Sequence, residues 1–358
     1  MHLYWFLPTA GETRYLGTEK GKREVTYDYL KQVAQAVDTV GFEGALLPTG
    51  HNCEDAWVVA SSLLPFTKQM NFLVALRPGF MSPSIAARMA ATFDRLSGGR
   101  LNLNVVSGGN PVELAADGLH LEHDERYELA DEYLDIWKRE LQGERVDFDG
   151  KHHHIKGGHV RLNAVQKPYP PLFLGGFSPA AQDLAAKHVD VYLVWGEKPE
   201  DVKKRIDAVR EKAAALGRTV QFGIRLHVVV RETEDEAWKA AGELIQYVDD
   251  DVIAAQRKKM AEFDSHAQQH MTKISAGQDN IRDLEISPNL WAGIGLAREG
   301  ASTALVGDPD TVYARLKEYE DLGIDYFILS GYPHLEEAYR VGELLFPKIK
   351  KELQGQHL

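Results

Sequence analysis

Cysteine is nearly absent: one residue, Cys53, in a chain of 358. That excludes an internal disulfide framework and fits a reducing, cytoplasmic compartment. No run of about 18 apolar residues occurs, so no membrane-spanning helix is expected. Basic residues are in deficit, 41 against 53 acidic, for a net charge of −12. Such a balance argues against nucleic acid or an anionic membrane surface as a partner. Low-complexity tracts and internal repeats are missing too, apart from an alternation of strand-like and helix-like segments. The apolar start, Met1 to Pro8, lacks a basic leader and a small-residue cleavage site, and reads as a first strand and not a signal peptide. With 44% hydrophobic residues, the chain can build one large domain or two ordinary ones.

What is present is rhythm. Apolar, strand-like runs fall near His2–Leu7, Glu43–Leu47, Asn71–Ala75, Leu101–Val106, Pro171–Leu174, Asp190–Val194, Gln221–Val230 and Asp325–Ser330. Helix-period patterns lie between them. Tyr27–Val40 sets Leu30, Val33, Ala34 and Val37 on one face and stops at Gly41. Asp55–Thr67 follows, then a helix opened by Ser82-Pro83, an N-cap and a first-turn proline. Eight strands alternating with helices predict an α/β fold, a parallel (β/α)8 TIM barrel spanning the whole chain, with an open doubly wound sheet as the alternative. Insertions are expected at about 107–124, 142–170 and 250–302. The second contains a hairpin turning at Asp149-Gly150. The third, long and polar with Ser275–Asn280 at its centre, is expected to be a lid loop between strands seven and eight.

The run from Phe222 to Arg231 is unusual. Alternation places Ile224, Leu226, Val228 and Val230 on one face and Gly223, Arg225, His227 and Val229 on the other. A strand covered on both sides should be apolar on both. A guanidinium beside an imidazole in such a strand is costly to bury unless it is paired or meets a ligand. Either a carboxylate elsewhere pairs with it, or this face lines a pocket for an anion.

Polar, aromatic and glycine-rich segments follow the strands: Pro48 to Asp55, Ser107 to Asn110, Gly175 to Ser178, Trp195-Gly196 and Ser330 to His334. Active sites of barrels are assembled at these C-terminal ends. The Gly175-Gly176-Phe177-Ser178 turn precedes a helix, whose free amides suit a phosphate, although a tight turn with a serine N-cap has the same appearance. Cys53 can be a small buried hydrophobe or a nucleophile. Trp5, Phe6 and Trp195 could wall a flat ring or belong to the core. His152-His153-His154 follows no zinc-ligand spacing, and no metal site is expected.

Several stretches carry a family likeness: Trp5 to Thr9, Cys53 to Trp57, His123 to Tyr127, Phe222 to Val228, Ile286 to Gly293 and Ser330 to Arg340. With them the chain resembles the flavin-dependent monooxygenases of the bacterial luciferase-like superfamily, most closely the alkanesulfonate monooxygenases. The resemblance implies a TIM barrel that takes reduced FMN from a separate NAD(P)H:FMN reductase. With O2 it would cleave the C–S bond of an alkanesulfonate to sulfite and an aldehyde, as in sulfur acquisition. It also implies a homodimer or homotetramer. The family's working residues correspond to Cys53, Trp195, Arg225, His227, Arg298 and Tyr332, with Arg298 closing from the lid. The FMN phosphate would be held by Ser107, Tyr127 and the Gly176, Phe177, Ser178 turn. Phe177 stands where the family commonly has serine. A deazaflavin-dependent hydride-transfer enzyme of the same superfamily, or a non-catalytic flavin-binding relative, are the alternatives.

Overall fold

The computed structural model describes residues 1–275 and 281–355. Eight parallel strands close into a barrel: β1 (His2–Phe6), β2 (Gly44–Leu47), β3 (Asn71–Leu76), β4 (Leu101–Val105), β5 (Leu172–Gly175), β6 (Val191–Trp195), β7 (Gln221–Val230) and β8 (Tyr326–Ser330). Each falls on one of the apolar runs read from the sequence. Closure comes from two contacts, β8 against β1 (His2 opposite Tyr326) and β6 against β7 (Val191 opposite Gln221). The open sheet is thereby excluded.

The helices form where their signals are. Tyr27–Val40 starts at Thr26, whose side chain accepts from the Tyr29 amide, and ends at Gly41 with φ 99°. The left-handed backbone there suits glycine. Its Leu30, Val33, Ala34 and Val37 are buried against the strands. Full burial of a valine is worth about 1.5–3 kcal/mol, so this face, more than propensity, holds the helix. Ser82 sits at the N-cap position of Pro83–Ser97, but its side chain makes no capping hydrogen bond. Pro83 still favours the start there, because its fixed φ suits the first helical turn and its missing N–H would have no intrahelical partner.

Side chains fill the barrel interior. Tyr4, Leu46, Leu73, Phe173, Val191, Leu193 and Ile328 form a closed cluster, with Phe6 and Tyr326 packed on it. A plugged interior leaves the C-terminal mouth as the place for a ligand.

Three insertions decorate that frame. A short helix, Pro111–Ala116, follows β4. Between β4 and β5 lies the hairpin Val146–Asp149 with His154–Gly158. Glu132 holds its turn by accepting from the amides of Lys151, His152 and His153 at 2.7–2.9 Å. The described residues of the β7–β8 connection carry more regular secondary structure than their polarity suggests. Helices Asp250–Met260 and His266–Ile274 are capped by Asp249 and Ser265. Short strands follow at Glu285–Ser287, Leu290–Trp291 and Ala304–Gly307. In the first of these helices only Met260 is buried, so its polar residues are the solvent faces of a helix. Ala276–Asn280, most of the expected lid centre, lies outside the described residues. Among the described residues no helix is long and apolar enough to cross a membrane.

Candidate active site

The ten-residue β7 outlasts its neighbour. Val191–Trp195 of β6 pairs with Gln221–Arg225, and then β6 ends. From His227 onward the same edge of β7 is taken over by Ala304–Gly307, a strand the sequence reading does not single out. On the other edge β8 runs to His227 opposite Ser330. Arg225 and His227 therefore sit where one strand hands over to another, at the barrel mouth. Ile224, Leu226, Val228 and Val230 face the outer core, as the alternation predicts.

Arg225 is 6% exposed. Its Nη1 donates to the carbonyls of Leu226 (2.8 Å) and Ile328 (3.4 Å), and its Nη2 donates to Ser330 Oγ at 2.8 Å. The guanidinium lies 4.8 Å from the centre of the Phe6 ring. Burial, then the charge of Arg298, pull its pKa down to about 9, which still leaves it cationic at neutral pH. Arg298 arrives from the insertion, 5.5 Å over Phe6 and 5.7 Å over Tyr332. Its Nη1 is 3.1 Å from His227 Nε2. Among the described residues neither guanidinium forms an ion pair with a carboxylate. The structural ion pair open to Arg225 on sequence grounds is not made.

His227, 1% exposed, stacks on Tyr332 at 5.5 Å. Burial and the two arginines hold its pKa well below the ordinary histidine range, so the ring is neutral. Burial raises the Tyr332 hydroxyl, against the pull of the arginines. Trp195 ends β6 opposite Arg225, with its ring 6.2 Å from Phe177.

Cys53 lies in the loop after β2, its amide bonded to the Gly50 carbonyl. Burial pushes the thiol up, and the Thr9 hydroxyl opposes this only in part. A protonated thiol without a neighbouring base is a poor nucleophile. Cys53→Ser should keep activity within several-fold of wild type, measured as turnover. Trapping a covalent substrate adduct on Cys53 would overturn that expectation.

The residues the resemblance assigns to a phosphate also converge. Burial raises the Tyr127 phenol, which the hydroxyls of Ser178 and Ser107 approach without closing a hydrogen bond. Ser107 Oγ is buried without a hydrogen-bond partner. A Cβ on Gly176 would come within 2.6 Å of the Ala181 Cβ and 3.3 Å of the Tyr127 hydroxyl. Only glycine allows so close an approach of turn to helix. Ser178 caps helix Pro179–His188 by accepting from the Ala181 amide at 3.2 Å. An orphaned hydroxyl beside a helix start fits a phosphate oxygen. Phe177 offers no hydroxyl; its ring instead stacks under Arg205 at 3.6 Å. Beside this region a cavity of about 140 Å3 is lined by Thr49, Arg77, Val106 and Asn110, among others.

The sequence does not single out the charged groups packed behind these residues. Glu12, in the two-residue strand Glu12–Thr13 that follows β1, accepts from the His334 amide (2.7 Å) and pairs with His334 Nδ1 (2.5 Å). It also accepts from the Tyr29 hydroxyl and lies 3.6 Å from Arg23. Glu12 is thus committed to these partners and pairs with neither Arg225 nor Arg298. A lone Glu in a polar segment carries no signal of this role; His334, directly after the Tyr332-Pro333 motif, carried a weak one. Phe6, read only as a wall or core ring, is the surface both guanidiniums share. The His152–His154 run brings no ligands together: His153 packs on Tyr133 and His154 pairs with Asp149. Among the described residues His51, Glu113 and Asp117 do converge, but Arg77 reaches Asp117 at 3.1 Å and Glu113 at 3.7 Å, so the cluster already holds a cation.

The insertion is fastened over this mouth. Arg126 grips both oxygens of Asp264 (2.9 and 2.8 Å), and the Asp264 amide donates to the Gly109 carbonyl. His270 pairs with the buried Glu197, which Arg205 also holds.

Comparison with known proteins agrees with this architecture. The family model for luciferase-like monooxygenases matches residues 1–326. A long-chain alkane monooxygenase (LadA) superposes with a TM-score of 0.79 at 21% identity, covering 98% of this chain and 91% of its own. An EDTA monooxygenase (EmoA) from Chelativorans sp. BNC1 gives 0.79 at 18% identity, with 98% and 94% covered. A riboflavin lyase (RcaE) solved with modified FMN and riboflavin gives 0.78 at 19%, with 98% and 92% covered. At these identities the structures speak for the fold, and the family match, over most of the chain's length, settles membership: the chain belongs to the luciferase-like monooxygenase family.

Proposed function

We propose that this protein is a two-component flavin-dependent monooxygenase that desulfonates alkanesulfonates. FMN supplied reduced by a separate NAD(P)H:FMN reductase would provide the oxygen chemistry when bound. Sulfite and an aldehyde are the products. The observation that carries the reading is the pair Arg225 and Arg298 over one phenyl ring, beside a neutral His227, with no carboxylate paired to either among the described residues. In a chain of net charge −12, two neighbouring guanidiniums without a carboxylate partner among the described residues support an anion as their partner. A sulfonate is a fixed monoanion with three acceptor oxygens, matched to the planar fork of arginine.

The chain's own parts divide the work. Ser107, Tyr127 and the Gly176–Ser178 turn hold the cofactor phosphate. Trp195 and Phe177 wall the ring. Arg225 and Arg298 bind the sulfonate, Tyr332 packs beside them, and the insertion keeps water out. The neighbouring structure bound to a modified FMN supports the choice of flavin. Homo-oligomeric assembly belongs to the same proposal.

The test is sulfite release from a panel of alkanesulfonates with reduced FMN supplied under air. Sulfite together with sulfonate-dependent turnover is expected. Hydride transfer from a deazaflavin, without O2 uptake or sulfite, would replace this reading, and O2 uptake indifferent to every sulfonate would reduce the protein to a flavin binder.

A further inference from the structure

We propose that Ser330 is a positioning residue that lets His227 switch tautomer in response to Arg298, and so links the insertion to Arg225. Counting hydrogens leads there. Arg225 Nη2 donates to Ser330 Oγ at 2.8 Å, and Ser330 Oγ is 2.7 Å from His227 Nδ1. Across the ring, Nε2 is 2.9 Å from the Ala301 carbonyl and 3.1 Å from Arg298 Nη1. A guanidinium only donates and a carbonyl only accepts, whereas a neutral imidazole has one N–H and one lone pair. His227 cannot serve both partners at Nε2 in one tautomer.

Two arrangements compete, and each serves only one of the two Nε2 partners. In the first, Nε2–H donates to the Ala301 carbonyl and Nδ1 accepts from the Ser330 hydroxyl, which itself accepts from Arg225. In the second, Nε2 accepts from Arg298 and Nδ1–H donates to Ser330 Oγ. The serine hydrogen is then released for another acceptor, as an anion beside Arg225 would offer. Ser330 is donor in one state and acceptor in the other, so the switch needs a hydroxyl at this position. The register supplies it: β8 ends with Ser330 directly opposite His227, and Ser330 is 0% exposed, so no water substitutes. The bond from Arg298 is charge-assisted and stronger than the one to a carbonyl. With Arg298 in place the second arrangement wins.

Removing the hydroxyl has a defined effect. Without Ser330 Oγ the Nδ1–H tautomer would leave a buried N–H unpaired, whereas the Nε2–H tautomer leaves only a lone pair. Orphaned buried N–H groups are the rarer of the two in proteins. Ser330→Ala should therefore lock the ring as Nε2–H, and Ser330→Thr should behave as wild type.

The test reads the tautomer of His227 directly, by long-range 1H–15N correlation on 15N-histidine-labelled protein at neutral pH. No substrate is needed, so the outcome is separate from that of the desulfonation assay. In the wild type and in Ser330→Thr, Arg298→Ala should move the ring from Nδ1–H to Nε2–H, with a change on the order of tenfold in the ratio. In Ser330→Ala the ring should be Nε2–H whether or not Arg298 is present. A wild-type tautomer indifferent to Arg298→Ala overturns the proposal, and this arm stands even if Ser330→Ala does not fold. An undiminished response in Ser330→Ala overturns it equally.

Discussion

Arg225→Ala should abolish sulfite release while leaving FMN binding within a few-fold of wild type. The two effects separate because the residues that would hold the cofactor phosphate, Ser107, Tyr127 and the Gly176–Ser178 turn, make no contact with this guanidinium. A buried charged partner of a bound anion is worth about 2–5 kcal/mol on truncation. That is a loss of roughly thirtyfold to a few thousandfold in kcat/KM. Stability should fall less than the loss of so many contacts suggests. The guanidinium is desolvated and rests only on carbonyls, a hydroxyl and the Phe6 face, so its removal also relieves a charge that folding had to bury. Sulfite assays beside FMN titration and thermal unfolding decide the matter. Activity within a few-fold of wild type would remove the anion site from β7. A collapse of FMN binding together with activity would make Arg225 a structural residue.

The barrel could be read from the sequence because it rests on local signals: eight apolar runs with helix-period patterns between most of them. The site was legible only in part. Arg225 and His227 stood out because polar residues alternate with aliphatic ones on a strand that should be apolar on both faces. Their partners did not stand out. Ser330 looks like an ordinary strand end until β8 is placed in register with β7. Glu12 acts through His334, 322 positions away. Its side chain shows nothing in sequence that distinguishes it from a solvated glutamate. The strand Ala304–Gly307 is four residues long, and it extends the sheet only because β7 outlasts β6. The β7–β8 connection was read as a polar loop because polar residues on the exposed face of a short helix carry the same composition. The other misses are long-range pairings, and periodicity along the chain holds no record of those.

Arg298 should tolerate lysine almost as badly as alanine. Both variants are expected to lose at least about thirtyfold in kcat/KM for sulfite release, an effect of roughly 2 kcal/mol or more. The reason is geometric. Arg298 covers the faces of Phe6 and Tyr332 at 5.5 and 5.7 Å while its Nη1 meets His227 Nε2. A planar, weakly hydrated cation can stack and donate at once, and a compact ammonium cannot. Lysine would keep the charge but bring its own hydration shell to the Phe6 and Tyr332 faces. The insertion places this guanidinium through two ties beside it. Lys259 pairs with Glu299 at 2.9–3.0 Å, and the Gly300 amide donates to Gln268 Oε1 at 2.7 Å. Those ties join Arg298 to both insertion helices, so movement of the helices carries the arginine with them. Limited proteolysis should accordingly show the insertion protected when reduced FMN and a sulfonate are both bound. Arg298→Ala should weaken that protection, because the cation that meets the anion is gone. Lysine at wild-type activity would mean that charge alone matters here. Alanine at wild-type activity, with no ligand-dependent protection, would make Arg298 a bystander at the barrel mouth.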